Sequence, residues 1–304
     1  MNYEHTGRKP LDSIGEYLSS RVALYAVLLF GVVFYLVPVE AAVMTMFKTD
    51  AFVNTQPYLP PAPSQFSLDS TMTAIDTIAP GIWNSILMAV PATVLSALFG
   101  SLAAYGLTTI DWRGQVGVVV LIIAGIFIPY QAVLVPISTF WYQIVPDFAE
   151  FFVGPVLSGW EYPVGNGGLQ LAQLTITHVA YGIPICTLLF RGYYQAISDE
   201  MIEAARLDGA SAFSIYKNII FPLSYPMFAV TLIYQFTQVY NDLLFALVLL
   251  NDPNTQVATQ RLVRLTGGVQ QDFTLTMAGA IVAAFPTLIV YIFFGDQFAK
   301  GVAS

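Results

Sequence analysis

Glu203-Ala204-Ala205-Arg206-Leu207-Asp208-Gly209, with Ile219 and Pro222 downstream, is a polar island in an otherwise apolar chain. Ser198 stands where a helix N-cap belongs, and its hydroxyl can accept an orphan N–H. Asp199 and Glu200 follow in the first turn, where acids complement the positive end of the helix dipole. The spacing predicts a short helix from about Asp199 to Leu207, with Met201 and Ala205 on one face and Ile202 adjacent. Gly209 is free to take the left-handed conformation that stops it. A second short helix is expected over about Ala212–Ile219, with Ile215 and Ile219 on one side, and Pro222 sets the break after it. Two short helices around a glycine corner make a compact knob. The small pair Ala204–Ala205 permits close approach, and Glu203 is placed to meet a basic residue across an interface.

The surroundings of this island are membrane-like. The 304 residues are 56% hydrophobic and 10% charged, whereas a soluble domain carries roughly a quarter charged residues. Six segments approach the roughly 20 apolar residues a spanning helix needs: about Val22–Met46, Ile82–Leu107, Val116–Thr139, Leu174–Phe190, Tyr225–Leu250 and Met277–Phe298. Their continuous apolar runs favour helices over an alternating barrel pattern. The expected fold is therefore all-α and polytopic, with six spans and the polar island in the loop between spans four and five. The N-terminal segment reads as a retained span, too long for a signal-peptide core.

Lys and Arg orient the chain. With the N-terminus inside, Arg8, Lys9, Arg21, Arg113, Arg191, Arg206, Lys217 and Lys300 are cytoplasmic, and Lys48, Arg261 and Arg264 are outside. Eight against three satisfies the positive-inside rule and puts the knob, with both termini, in the cytoplasm of a multi-pass cell-membrane protein. The net charge of −8 lies largely on outer loops, at residues such as Asp50, Asp69, Asp76, Asp147, Glu150, Glu161, Asp252 and Asp272. Such loops suit hydration at high salt, and equally follow from few basic residues outside.

Small residues at every fourth position, Ala92, Ser96, Gly100 and Ala104, mark a close helix crossing in the second span, and Gly279–Ala283 with Ala280–Ala284 repeat the device in the last. Residues 47–81 read as an extended, Pro-rich outer loop. Trp141, Tyr142, Trp160 and Tyr162 suit a segment at headgroup level. Gly165, Gly167 and Gly168 lack the strand and GK[ST] of a phosphate loop. His178 and Cys186, eight apart, make no metal site without further ligands and read as packing. Two histidines and one cysteine give no nucleophile–base pair for an intramembrane enzyme. Polar residues inside a membrane are costly and often functional, which singles out Gln235, Gln238, Tyr240, Asn241 and Asp242. They serve either a solute path or hydrogen bonding between helices.

The island, with its order Glu-Ala-Ala, Gly209, Ile219 and Pro222, resembles the EAA loop of the membrane subunits of ABC importers. Further matches are Asn84-Ser85, Ala103-Ala104-Tyr105-Gly106-Leu107, Pro129 and Pro136, Arg191-Gly192-Tyr193-Tyr194, Asp208-Gly209-Ala210-Ser211, Tyr240-Asn241-Asp242, and Ala278-Gly279-Ala280 with Pro286. Together they look like the six-span permease of carbohydrate importers, the maltose and glycerol-3-phosphate type, over about residues 22–301, after a cytoplasmic tail of residues 1–21. The resemblance implies a coupling loop over about 198–222 in which Glu203, Ala204, Ala205, Asp208, Gly209 and Pro222 engage an ATPase. It also implies a second related permease, two cytoplasmic ATPase subunits holding ATP and Mg, an extracellular sugar-binding protein, and a sugar as substrate. No cofactor on this chain, no catalysis by it and no nucleic-acid partner are expected. The outer loop 251–276, with Gln256, Gln260, Gln270 and Gln271, corresponds in position to the loop such permeases direct toward the binding protein. Departures are Tyr240 where relatives carry Trp, a longer segment 140–173, and an end at Ala303-Ser304, where relatives often run on toward the ATPase. An importer of another solute, or less plausibly an ion-coupled transporter, is the alternative.

Overall fold

Long apolar runs become long helices even where they contain proline, as at Pro38, Pro80, Pro91, Pro184 and Pro286. The computed structural model describes residues 10–53, 58–110, 112–147, 167–267 and 272–303, with side chains from residue 21 to 295 within those ranges, Asp50 excepted. Arg8, Lys9, Asp111, Glu150, Trp160, Glu161, Tyr162, Gly165, Gln270, Gln271 and Ser304 lie outside the described residues, as does the side chain of Lys300. The helices are α1 (Pro10–Met46), α2 (Asp69–Thr108), α3 (Gln115–Phe127), α4 (Tyr130–Asp147), α5 (Gly167–Tyr194), α6 (Asp199–Leu207), α7 (Ala212–Leu223), α8 (Tyr225–Tyr240), α9 (Leu244–Leu249), α10 (Ala258–Thr266) and α11 (Phe273–Ala303). Among the described residues the sole β-pairing is an isolated bridge between Lys48 and Phe66.

Among the described residues, four helices are long and apolar enough to cross a membrane, or up to six if each of two bent pairs is one span. The third expected span, Val116–Thr139, is not straight. α3 and α4 meet at 97°, because Pro129 forces the preceding Ile128 into extended backbone (φ −65°, ψ 125°). The fifth expected span, Tyr225–Leu250, also breaks. α8 ends at Tyr240, and the Asn241 amide donates back to the Thr237 carbonyl at 2.9 Å. Asp242 then caps α9 by accepting the Phe245 N–H at 3.1 Å. Short polar side chains that bond nearby backbone in this way compete with helix continuation.

The chain forms two units, residues 1–74 with 270–281, and residues 75–269 with 282–304. In the first, the described part of the outer loop is pinned rather than extended. Thr49 N–H donates to the Gln65 carbonyl and Ser67 N–H to that of Phe47, both at 2.9 Å. Phe47 and Phe66 stack at 5.8 Å, and the Ser70 and Thr274 hydroxyls lie 2.8 Å apart.

In the second unit the small-residue stripe is the seam between α2 and α5. Ala92, Ser96 and Ala104 are wholly buried. A Cβ on Gly100 would lie 2.4 Å from Cys186 Cβ and 2.9 Å from its carbonyl carbon, so only glycine lets the backbones approach this closely. One apolar cluster lies around Met88, Leu174, Tyr240, Phe245 and Val257, and another around Tyr105, Phe190, Ile202, Ile215 and Phe228. Trp141 sits inside the first: it is 9% exposed, and its indole N–H donates to the Thr177 hydroxyl at 2.9 Å. Burial of so large an amphipathic ring needs such a partner.

Candidate functional site: an inner knob and a polar cavity

The knob forms as two short helices, with a correction at its first cap. Ser198 is extended (φ −61°, ψ 126°) but its hydroxyl caps no backbone N–H. It donates instead to the Glu200 carboxylate. That bond and a backbone hydrogen bond hold the Glu200 carboxyl below its ordinary pKa. The end of α6 is a Schellman motif. Ala210 N–H donates to the Ala205 carbonyl and Gly209 N–H to that of Arg206, both at 3.0 Å. Gly209 adopts φ +80°, with open space around a would-be Cβ. α7 begins at Ser211, whose hydroxyl accepts the Ser214 N–H at 3.2 Å. It runs on past Ile219 and through Pro222, and the 75° bend falls at Ser224.

Burial divides the knob into a fixed side and a free side. Ile202 and Ile215 are buried at 7% and 2% exposure; Met201 is exposed, so Ile202 and not Met201 faces the core. Glu203, Ala204, Asp208 and Gly209 are exposed, and Ala205 is half-buried. Leu207 and Phe213 project at 90% and 70% exposure.

Hydroxyls fasten the fixed side. Ser101 of α2 lies 2.6 Å from the Tyr194 hydroxyl of α5 and 2.8 Å from the Tyr216 hydroxyl of α7. The Tyr105 hydroxyl donates to the Ala212 carbonyl at 2.8 Å, and the Arg206 guanidinium donates to the Thr109 carbonyl. The knob therefore moves with the ends of α2 and α5.

A cavity of about 630 Å³ opens between α3, α4, α5 and α8, within the roughly 300–1,000 Å³ range of small-molecule sites. Gln235, Gln238 and Asp242 line it. Tyr240 and Asn241 are set apart from it. The Tyr240 hydroxyl donates to the Ala283 carbonyl at 2.9 Å, with the ring stacked on Phe236, and Asn241 is exposed at the end of α8.

Asp242 is the hub of the cavity's polar wall. Its carboxylate accepts from the Tyr130 hydroxyl. His178 Nε2 faces it at 3.4 Å, without the alignment of a hydrogen bond. Both side chains are nearly buried, 6% and 7% exposed. Gln235 reaches the wall over Gly182, where a Cβ would sit 2.2 Å from its amide nitrogen.

Sequence reasoning missed Tyr130, Thr177 and Tyr181 on this wall and assigned His178 to packing. The available signal was their spacing: the adjacent pairs Thr177–His178 and Tyr181–Gly182 are three to five residues apart on α5, so they share one side. Among the described residues, no three His, Cys, Asp or Glu side chains are grouped to hold a metal ion.

The outer loop is more structured than its composition implies. The Asn84 amide donates to the carbonyls of Asn254 and Gln256 at 2.8 and 3.1 Å, and the Ser85 hydroxyl accepts the Ala258 N–H at 2.9 Å. Gln256 and Gln260 are buried. The Gln260 amide donates to the Ala246 carbonyl at 3.0 Å, which makes it a brace of the loop rather than a docking group.

Comparison with known proteins agrees with this arrangement. The chain is 44% identical over 288 residues to a xylose/arabinose import permease protein of Haloferax volcanii, covering 93% of this chain and 92% of that one. It is 25% identical to a glucose import system permease protein of Saccharolobus solfataricus, covering 91% and 92% of the two chains. A solved bacterial ABC transporter involved in import of the acidic polysaccharide alginate shares the fold, with a TM-score of 0.68 at 16% identity over 95% of this chain and 99% of that one. The family model for binding-protein-dependent transport system inner membrane components matches residues 96–303, a range that contains the knob and every residue lining the cavity, and the chain belongs to that family.

Proposed function

We propose that this chain is one permease half of an ABC importer for a sugar, with residues 22–301 as its transmembrane domain. A second related permease completes the path, two cytoplasmic ATPases engage the knob, and an external binding protein delivers the sugar. The observation that carries the reading is the division of the knob. One side is locked to α2 and α5 by Ser101, Tyr105, Tyr194 and Tyr216, and the other presents Glu203, Ala204, Leu207, Asp208, Gly209 and Phe213. An exposed apolar pair beside charged groups suits docking into a partner's cleft. With the knob and both termini in the cytoplasm, it meets the ATP-hydrolysing subunits.

ATP closes the ATPase pair, and the knob moves with the subunit that holds it. The fastened helix ends tilt, so ATP affinity for the closed pair becomes a population shift between inward-open and outward-open permease. Gln235, Gln238 and Asp242 meet the sugar in the cavity, while Tyr240 and Asn241 support α8 and its end. The relatives named for sugar import favour a sugar over an amino acid or peptide as cargo.

The test is affinity purification from native membranes, followed by reconstitution of whatever copurifies into liposomes. A second permease, a P-loop ATPase and ATP-driven uptake of labelled xylose or glucose are expected. Recovery of the chain alone, with ATP-independent uptake, would refute the reading.

A further inference from the structure

Resting on the sugar-permease reading, we propose that Asp242 makes this cavity selective for uncharged sugars and against acidic ones. The cavity is lined by residues of five chain segments, and no lysine or arginine is among the described residues that line it. Its one carboxylate, Asp242, is nearly buried. The groups that face it are the Tyr130 hydroxyl, the Phe245 N–H and His178 Nε2, and none of the three carries a fixed positive charge. A carboxylate held by dipoles in a poorly screened site sets a negative potential throughout the space beside it.

A neutral sugar suits that space. Its hydroxyls can donate to carboxylate oxygens and exchange hydrogen bonds with the Gln235 and Gln238 amides. Its C–H faces can lie on the aromatic wall, where Tyr130 packs against Phe245 at 4.3 Å and against Tyr181 at 5.1 Å. A uronic acid brings a second carboxylate into the same cavity with no cation to meet it, and two like charges in one dry site strongly disfavour each other. The alginate transporter's acidic cargo therefore does not carry over: 16% identity transfers the fold and leaves the cavity's charge to each chain.

The experiment measures binding of labelled xylose to the complete importer purified from native membranes, without its binding protein, so that the permease cavity is read directly. Glucose and glucuronate differ at C6 alone, as alcohol and carboxylate, and both compete against labelled xylose. Glucuronate is expected to need a concentration on the order of 10- to 100-fold higher than glucose. Asp242→Asn should erase most of that gap. Gln238→Lys, on an exposed position of the same wall, leaves the bonds of Asp242 in place and should narrow the gap by supplying a cation. Equal competition in the unaltered importer, or a gap that survives both variants, overturns the inference while ATP-driven sugar uptake leaves the permease reading standing. An importer that takes up no sugar even with its binding protein present overturns both.

Discussion

Ser101 is the smallest group on which the proposed coupling depends. Its hydroxyl is wholly buried and lies between two phenols, Tyr194 at 2.6 Å and Tyr216 at 2.8 Å, which are themselves 4% and 8% exposed. One hydroxyl can donate to one neighbour and accept from the other. Ser101→Ala removes both bonds at once and adds no volume. Each buried polar group left unsatisfied costs about 1–3 kcal/mol. Those bonds tie α7 to α2 and α5, so the loss falls on the attachment of the knob rather than on the cavity. A loosened knob lets the ATPases close without tilting the helices fully. The assay is paired measurement of ATP hydrolysis and sugar uptake in proteoliposomes, with thermal stability of the same preparations. Uptake should fall about 3- to 30-fold while hydrolysis changes little, so that ATP spent per sugar rises. Ser101→Thr, which keeps the hydroxyl, should recover much of the ratio, and a double-mutant cycle with Tyr216→Phe should give a coupling energy of about 0.5–3 kcal/mol. An unchanged ratio and an unchanged melting temperature in Ser101→Ala would refute the reasoning.

Two further outcomes follow from glycines at which the backbone or the packing leaves little choice. Gly209→Asp meets open space and only the strain of φ +80°, about 1–2 kcal/mol; the chain should insert and fold normally, yet lose ATP-driven uptake and copurification with the ATPase, and normal uptake would remove the knob from the mechanism. Gly100→Ala should cost more than Gly182→Ala in thermal stability. The first puts a Cβ against Cys186 backbone at 2.9 Å, the second against the movable amide of Gln235 at 2.2 Å and the Ser96 hydroxyl at 2.6 Å. Gly182→Ala should instead impair sugar uptake, since it displaces Gln235 from the cavity wall, and the opposite ranking of the two stabilities would contradict the packing argument.

Much of the scaffold was legible because its causes are local. The apolar runs named the helices that cross the membrane, since burial in lipid needs only length and composition. The stripe Ala92, Ser96, Gly100, Ala104 named the seam, because a helix repeats nearly every four residues. Gly209 announced the left-handed stop. Reasoning from composition failed where tertiary packing gave a residue a different partner. Composition did not name the partners of Trp141 and Tyr142, which are Thr177 and the Leu249 carbonyl. Gln260 lies in the loop expected to reach the binding protein, but its amide is taken up by the backbone at Ala246, Leu250 and Val257. Ser198 had the backbone of a cap, and Glu200, two residues away, took its hydroxyl.

The sequence by itself determined the membrane character, most helical segments, the two-helix knob and the resemblance that links the knob to an ATPase partner. Those properties belong to runs of neighbouring residues. Only the tertiary structure decided which polar side chains face one space. Asp242 meets Tyr130 across 112 residues of chain, and it does so because Pro129 bends α3 from α4 by 97° while the end of α8 at Tyr240 frees Asp242 to turn inward. Gln235 joins them because Gly182 leaves room for its amide. Tyr240 and Asn241, beside Asp242 in sequence, bond elsewhere, Tyr240 to the Ala283 carbonyl and Asn241 back to that of Thr237. A polar run along the chain therefore names candidates for a path, and the bends and crossings of distant helices select among them.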